Sequence, residues 1–239
     1  MEKGQKLEGK KMQVVILTGG EGTRLRPLTH TVPKPMVRVC GKPFLEHVLE
    51  LVKSFGLIDV LILASYLGKQ IEDYFGDGSC LGMSIKYSYE KTPLGTGGAL
   101  KNAEEMLAES FILLNGDTLL PVDYRKLISR FQECDKTGLI VAYSNAENIA
   151  RSNLRIGDGD VILSYNKESE DGMTHIDAGA IVLKKEILEL IPGERMCSLE
   201  KEIFDQLIAN DQLQAFRTDK RFYDIGSING LKCIEQVLG

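Results

Sequence analysis

The chain alternates short runs of β-branched and aliphatic residues with longer amphipathic stretches, and this alternation limits its fold more than any other feature. From Gln13 onward the segments are VVILT, FLEHVLELVKSF, VLILAS, LGKQIEDYF, SIKYSY, GALKNAEEML and FILLN. Strands that alternate with helices form a parallel sheet whose faces are covered by the helices. The sequence therefore predicts an α/β fold with a mostly parallel central sheet.

Apolar spacing predicts a helix over residues 44–55, where the apolar side chains form one broad stripe and Gly56 follows as a C-terminal cap. A helix is also expected to continue through residues 103–107, before the strand at 111–114. After Tyr143 the pattern is less regular. There we expect a hairpin turning at 157–159, a strand at 176–183, helices at 185–190 and 199–208, a strand at 213–217 and a final helix at 228–238.

Composition excludes several classes of protein. A chain of 239 residues that is 43% hydrophobic can bury one large core. Its longest apolar stretches fall far short of the roughly 20 residues needed to cross a bilayer, and its first residues lack the pattern of a signal peptide. A formal charge of −5 gives no basic surface for nucleic acid. These features predict a cytoplasmic protein with no membrane or nucleic-acid partner.

The five cysteines are scattered and contain no CxxC pair, so neither a disulfide framework nor a zinc site is expected. The serines likewise lack the G-x-S-x-G context of a covalent hydrolase.

The segment GGEGTRLRPLTHTVPKP follows the first strand directly and is the most informative part of the chain. Glycines allow the backbone to turn sharply, and successive backbone N–H groups can then hold an anion. Arg24 and Lys34 add cationic side chains suited to phosphate. The pattern is neither the G-x-G-x-x-G of dinucleotide-binding folds nor a P-loop, so a dehydrogenase is disfavoured and a different phosphate-binding loop is predicted.

Two carboxylates, Asp117 in LLNGDTLL and Asp224 in FYDIGS, follow apolar extended segments. In open α/β sheets, ligands bind at the carboxyl ends of the strands. Mg²⁺ prefers one or two carboxylates together with substrate phosphates and water. The pair therefore predicts a magnesium site next to bound phosphate.

Together these motifs resemble those of the sugar 1-phosphate nucleotidylyltransferases, a family that includes glucose 1-phosphate thymidylyltransferases and mannose 1-phosphate guanylyltransferases. The resemblance runs from Gln13 nearly to the end and rests on GGEGTRLRPLT with PKP, PLGTGGAL, LNGDT, YNK, DAGAIVL and YDIGS in that order. It implies a Rossmann-like three-layer nucleotidyltransferase core, the nucleotide-diphospho-sugar transferase fold, with a smaller sugar-side lid. The expected division is a flexible tail over 1–11 and a single domain over 12–239, with a nucleotide-binding half at 12–145 and a sugar-binding half at 146–239.

The resemblance also assigns roles to individual residues. Catalytic roles fall to Arg24, Lys34 and Lys167, and the Mg²⁺ ligands are Asp117 and Asp224. The nucleotide-binding residues it implies are Leu17, Gly19, Gly20, Gly22, Thr23, Arg24, Lys34, Gly95 and Thr96. The sugar-binding residues it implies are Gly116, Asn166, Lys167, Asp177 and Gly179.

The reaction implied is attack by a sugar 1-phosphate on the α-phosphorus of a nucleoside triphosphate, with release of pyrophosphate, to supply NDP-sugars for glycan assembly. Within the family the segments most resemble those of D-glycero-D-manno-heptose 1-phosphate guanylyltransferases, which favours GTP. Mannose 1-phosphate, or uridylyl, thymidylyl or cytidylyl transfer to another sugar 1-phosphate, is the alternative. Family members often form dimers or tetramers, which leaves a homo-oligomer open. A catalytically silent sugar-nucleotide sensor is the competing hypothesis from another functional class.

Overall fold

A computed structural model of the chain describes residues 12–20, 22–65, 67–168, 171–193 and 195–239. The tail predicted for residues 1–11 lies outside the described residues. The strands are β1 (Gln13–Leu17), β2 (Arg38–Val39), β3 (Lys42–Pro43), β4 (Asp59–Ala64), β5 (Ser84–Tyr89), β6 (Ser110–Asn115), β7 (Thr118–Leu119), β8 (Gly138–Tyr143), β9 (Leu154–Ile156), β10 (Ile162–Tyr165), β11 (Ile176–Lys184), β12 (Leu213–Thr218) and β13 (Tyr223–Asp224). The α-helices are α1 (Phe44–Ser54), α2 (Gly68–Phe75), α3 (Gly95–Asn102), α4 (Tyr124–Glu133), α5 (Phe204–Ala209) and α6 (Ile228–Leu238).

Seven strands form the central sheet in the order β12-β8-β11-β6-β1-β4-β5. β1 pairs in parallel with β4 and β6, β4 with β5, and β12 with β8. Only β11 runs against its two neighbours, β6 and β8. Because β1, β4, β5 and β6 are parallel, the segments that follow them all emerge at one edge of the sheet. The strand order changes direction around β1. The predicted α/β fold with a mostly parallel sheet is confirmed.

Hydrophobic cores lie on both faces of this sheet. Val14 and Ile16 of β1 belong to one buried cluster, and Val15 between them belongs to the other. This alternation follows from the two-residue period of side chains along a strand. The first cluster includes side chains of α1, α2, α4 and α6, whereas the second includes those of α3 and α5. The result is the expected three-layer arrangement of helix, sheet and helix.

Several elements after β8 confirm the sequence interpretation. The predicted hairpin is present as the antiparallel pair β9–β10, and β11, β12 and α6 occupy the expected segments. The hairpin is a separate two-stranded sheet, while β11 and β12 extend the main sheet. The predicted helix at 44–55 is α1, and Gly56 follows it with a φ of +79°.

One helix prediction was wrong, and two helices lie where they were predicted but are not wholly α-helical. The helix expected to continue through 103–107 stops at Asn102, and Glu104–Met106 form a 3₁₀ turn because Leu107 is already extended toward β6. Lys185–Leu190 is a 3₁₀ helix of six residues rather than an α-helix. Leu199–Ile203 forms a π-helical turn before α5 begins. Such wide turns occur often at functional sites.

No helix among the described residues combines the length and apolarity that crossing a membrane requires.

The two-sided core yields a test of the fold. Leu61 on β4 is fully buried, so Leu61→Ala is expected to lower the free energy of unfolding by about 2–5 kcal/mol. Leu163 is 49% exposed, and Leu163→Ala is expected to cost less than about 1 kcal/mol. Urea unfolding followed by circular dichroism measures both. Equal losses for the two variants would contradict the assigned burial.

Candidate active site

A cleft of about 400 Å³ opens at the carboxyl edge of the sheet. It lies where the segments after β1, β4, β5 and β6 come together, the position at which open α/β sheets bind ligands. Residues predicted to bind nucleotide or metal that line it are Leu17, Gly19, Gly20, Lys34, Gly95, Thr96 and Asp117. Residues of the wall that were not predicted are Thr18, Pro35, Leu63, Glu90, Pro93, Ala99 and Asn115.

The glycine-rich loop leaves β1 and turns back beside the cleft. Gly22 adopts a left-handed conformation with φ of +63°, and the 3₁₀ turn Thr23–Leu25 begins immediately after it. The Thr29 hydroxyl donates to the Gly22 carbonyl at 2.8 Å, which closes the loop. Leu25 is fully buried and anchors the turn. Gly22 and Thr23 lie outside the wall of the cleft. The turn that they form places Arg24 near Lys34.

Lys34 forms an ion pair with Asp117 inside the cleft. Its side chain is only 10% exposed. Pro33 is extended and Pro35 follows Lys34 in the 3₁₀ helix Lys34–Met36, so the segment that holds the lysine has restricted backbone torsions. A charge removed from water is held by a partner of opposite sign. The pair therefore fixes a cation and a carboxylate at the floor of the cleft.

Arg24 and Asp224 lie next to this ion pair. A Cβ atom placed on Gly226 would be 2.6 Å from Oδ1 of Asp224. The same point lies 3.1 Å from Nη2 of Arg24 and 3.5 Å from Nζ of Lys34. Any side chain at position 226 would therefore enter the space in which these three charged groups meet.

Backbone hydrogen bonds bring the two predicted metal ligands, Asp117 and Asp224, together. The short strands β7 and β13 pair so that Asp224 lies opposite Thr118. The N–H of Ile225 donates to the Asp117 carbonyl at 3.0 Å. The described residues contain no cluster of three or more His, Cys, Asp or Glu side chains with metal-binding geometry. Two carboxylates beside the predicted phosphate-binding loop fit the small number of protein ligands that Mg²⁺ takes.

Gly95 and Thr96 begin α3 and connect the nucleotide side to the later part of the chain. The Cys197 carbonyl accepts hydrogen bonds from Gly97 at 2.9 Å and Gly98 at 3.2 Å, and so occupies the N-terminus of this helix. Gly95 has a φ of +74°, and a Cβ there would lie 2.6 Å from the same carbonyl. Only glycine fits this close approach without displacement of the backbone.

Two further cavities lie near the cleft and are lined by residues predicted to bind sugar. A narrow one shares Leu17, Thr96 and Asn115 with the cleft and is also lined by Asp177 and Gly179. A wider one of about 460 Å³ is lined by the predicted residues Asn166 and Lys167 and shares Glu200 with the narrow cavity. Residues predicted to bind nucleotide and residues predicted to bind sugar therefore line neighbouring cavities that share wall residues.

Lys167 and Glu200 form the charged centre of the wider cavity. Their Nζ and Oε1 atoms are 3.4 Å apart, and Lys167 also lies over the Tyr165 ring at 5.6 Å. The other Glu200 oxygen accepts hydrogen bonds from the hydroxyls of Thr96 at 2.6 Å and Ser198 at 2.8 Å. Burial raises the pKa of Glu200, but Lys167 and these hydroxyls outweigh it and hold the pKa below its usual range. Glu200 is therefore an ionised partner that orients Lys167.

Asp177 lies at the base of the narrow cavity. Tyr165 donates its hydroxyl hydrogen to Oδ2 at 2.9 Å, and the N–H of Gly179 donates to Oδ1 at 2.9 Å. Burial raises the pKa of this carboxyl, opposed by the Lys167 charge and these hydrogen bonds. The contacts fix the bend at Gly179, which has a φ of +81°.

Gly116 differs from the other predicted sugar-side residues. It is buried, and its N–H donates to the Leu17 carbonyl at 2.9 Å. A Cβ at this position would lie 2.8 Å from that carbonyl oxygen. Gly116 therefore allows the end of β6 to approach β1 closely. It lies outside the walls of the three cavities.

Sequence reasoning missed Glu90 and Glu200, two of the acidic residues that line the cavities. Glu90 follows β5 directly, so the signal that identified Asp117 after β6 was also available for Glu90. Glu200 follows no such strand, and its partner Thr96 is 104 residues away in sequence. Only the folded chain brings Glu200 to the cavity.

Comparison with known proteins agrees with this geometry. Residues 13–237 match the Nucleotidyl transferase family. The chain belongs to this family. As a nucleotidyl transferase, it has the fold that the motif order implied, and the cleft lies among the residues that carry those motifs.

Three relatives show how widely the likeness extends. The D-glycero-alpha-D-manno-heptose 1-phosphate guanylyltransferase of Campylobacter jejuni is 33% identical, over 90% of this nucleotidyl transferase and 95% of the relative. The mannose-1-phosphate guanylyltransferase of Mycobacterium tuberculosis is 34% identical over 86% of this chain, which spans only 58% of that protein. The crystal structure of HddC from Yersinia pseudotuberculosis complexed with GMP-PN has a TM-score of 0.81 at 30% identity, over 95% of this chain and 100% of the other.

The close approach at α3 of this nucleotidyl transferase can be tested by substitution. Gly95→Ala combines a left-handed backbone with a clash against the Cys197 carbonyl, so it is expected to lower the free energy of unfolding by about 1–3 kcal/mol or more. Gly193→Ala is the matched control, because a Cβ there meets no atom within 4 Å. Thermal unfolding measures both variants. An unchanged melting temperature for Gly95→Ala would contradict the described contact.

Proposed function

We propose that the chain transfers a nucleoside monophosphate from a nucleoside triphosphate to a sugar 1-phosphate and releases pyrophosphate. GTP and D-glycero-D-manno-heptose 1-phosphate are the proposed pair. The observation that supports this most is a set of three neighbouring cavities that share wall residues: one is lined by the glycine loop with Lys34 and Asp117, and another by Lys167. Residues 12–145 would hold the nucleotide and residues 146–239 the sugar.

The nucleophile of this reaction is a phosphate oxygen that already carries negative charge, so the site needs no general base. Two polyanions must instead be held in line against their mutual repulsion. Arg24 and Lys34 would contact the triphosphate, and Lys167 would hold the sugar phosphate. Because Glu200 and the Tyr165 ring fix Lys167, its charge is oriented before substrate binds.

Magnesium is the proposed cofactor, held by Asp117 and Asp224. When bound, it would neutralise charge on the α-phosphoryl group and on the leaving pyrophosphate. Lys34 is paired with Asp117 in this structure, and it would also contact the phosphates once they bind. Because Asp117 would contact both Lys34 and the metal, it would couple their positions.

The relatives support the choice of substrates. Heptose 1-phosphate guanylyltransferases match this chain over nearly their whole length, 95% in Campylobacter jejuni and 93% in Aneurinibacillus thermoaerophilus. Mannose 1-phosphate is the second candidate, because mannose-1-phosphate guanylyltransferases share 33–34% identity with the chain. This chain spans about three fifths of those proteins.

The reaction is tested by magnesium-dependent pyrophosphate release with GTP, UTP, CTP, ATP and dTTP, each combined with heptose, mannose, glucose, N-acetylglucosamine and muramate-type 1-phosphates. We expect release that requires both substrates and is fastest with GTP and heptose 1-phosphate. If release is fastest with mannose 1-phosphate, the proposed sugar is wrong but the proposed reaction stands. If no pair releases pyrophosphate and an NDP-sugar binds tightly, the protein is a sensor and not an enzyme.

The electrostatic groups yield a second test. Lys34→Ala and Asp117→Ala are each expected to lower kcat by about 10² to 10³, the usual loss when one preorganised charged group is removed. Lys232→Ala, on the exposed side of α6, is the control and should keep the parent rate. Initial rates of pyrophosphate release at saturating substrate measure the effect. A rate within threefold of the parent in either cleft variant would refute that assignment.

A further inference from the structure

An apolar groove borders the loop that carries Arg24 and Lys34 and is separate from the candidate active site. It has a volume of about 400 Å³ and is lined by residues of that loop, of β2 and β3, and of α2. Among the described residues it shares no wall residue with the three cavities described above. We call it the outer groove, and its walls include Leu28, Val32, Met36 and Tyr74.

Large apolar side chains at the outer groove are exposed to water. Leu28 is 49% exposed and Tyr74 is 48% exposed, while Val32 and Met36 beside them are half-buried. Single exposed apolar residues are ordinary on a protein surface, whereas apolar side chains gathered around a groove mark an interaction site. An apolar occupant would remove this surface from water, which is favourable.

Hydrogen bonds hold the walls of the outer groove in place. Gln70 on α2 donates its side-chain N–H to the Thr31 carbonyl at 2.9 Å, which joins the helix to the loop. The Tyr74 hydroxyl donates to Oε2 of Glu46 on α1 at 2.9 Å. A surface that is already ordered loses less conformational entropy on association. The outer groove is therefore prepared to receive a partner.

Leu28 is both a wall of the outer groove and a protrusion beside it. Its N–H donates to the Leu25 carbonyl at 3.0 Å, and Leu25 is fully buried, so the exposed Leu28 side chain is carried on an anchored turn. A protrusion and a groove on one surface can be self-complementary. A two-fold axis through such a surface places the protrusion of each copy in the groove of the other.

The charges beside the outer groove fit the same symmetry. Arg38 borders the groove on β2 and is exposed. Asp73 precedes Tyr74 on α2, and its side chain is 63% exposed, with only a surface ion pair to Lys69 at 3.4 Å. If the two-fold axis passes between β2 and α2, Arg38 of one copy faces Asp73 of the other, and the contact occurs twice. Complementary charges of this kind fix the orientation of an interface.

We infer that the outer groove is the interface between two copies of this chain, in which Leu28 of each copy inserts beside Val32 and Met36 of the other. These two residues lie two positions before and two positions after Lys34. Lys34 lines the cleft, so one short segment borders both the cleft and the outer groove. A second copy seated in the outer groove therefore restrains the segment that presents Lys34.

Sedimentation velocity of the full chain tests the interface. We expect the parent protein to be a dimer at about 10 μM, since well-packed interfaces of standard size have dissociation constants from μM to pM. Leu28→Asp places a charge in the apolar contact and is expected to raise the dissociation constant of the dimer by about 30-fold or more, the scale of an interface hot spot. Leu163→Asp is the matched control, because Leu163 is also 49% exposed but lies on β10, outside the outer groove. It should keep the parent constant.

A charge exchange tests the two-fold arrangement separately. Arg38→Glu places acidic side chains opposite each other and is expected to raise the dissociation constant by about tenfold. Adding Asp73→Arg restores opposite charges, so the double variant should return to within about threefold of the parent. Both positions are exposed, so this comparison still decides the matter if Leu28→Asp does not fold.

The contradicting outcomes are specific. A parent protein that is still a monomer at about 100 μM, beyond the range of standard interfaces, would overturn the inference. A dimer that Leu28→Asp leaves intact would also overturn it, because the contact would then lie elsewhere. A double variant that associates no better than Arg38→Glu alone would overturn the two-fold arrangement. None of these measurements uses pyrophosphate release, so this inference and the proposed function can fail independently.

Discussion

The ion pair between Lys34 and Asp117 joins segments 83 residues apart in sequence and determines where the cleft can form. Lys34 belongs to the loop after β1, and Asp117 follows β6, the parallel neighbour of β1. The backbone of Asp117 also accepts a hydrogen bond from Ile225, which brings the last part of the chain to the same point. A buried charge requires a partner, so these segments have little freedom to separate. Arg24 and Asp224 lie next to this pair.

A second set of contacts connects the early and late parts of the chain. The Cys197 carbonyl occupies the N-terminus of α3, and Thr96 at that helix hydrogen-bonds to Glu200. Glu200 in turn pairs with Lys167. The lysine proposed to hold the sugar phosphate is thus linked, through two side chains, to the helix beside the nucleotide cleft. This linkage gives a physical reason why the two substrates would be held in a fixed relation.

Much of the fold followed from the sequence because short runs of β-branched and aliphatic residues distinguish β1, β4, β5 and β6 from the amphipathic helices between them, whose apolar residues have a 3.6-residue period. Short segments were less predictable: Leu199–Ile203 is a π-helical turn, and the N–H of Leu199 donates to the Thr96 hydroxyl, a contact that local sequence does not encode. Asp117 and Lys34 were identifiable because they adjoin a strand end and a glycine loop. Glu200 depends on a partner 104 residues away, and Gly116 has its N–H occupied by Leu17, neither of which composition or spacing can show.

The central claim is a direct in-line transfer between two substrates held side by side by fixed charges. The stereochemical course at the α-phosphorus tests it most directly. A single diastereomer of the nucleoside triphosphate with sulfur in place of one α-oxygen is converted to product, and the configuration is determined by ³¹P NMR. One direct displacement predicts inversion. Retention would require two displacements through a covalent enzyme-bound nucleotide and would contradict the account.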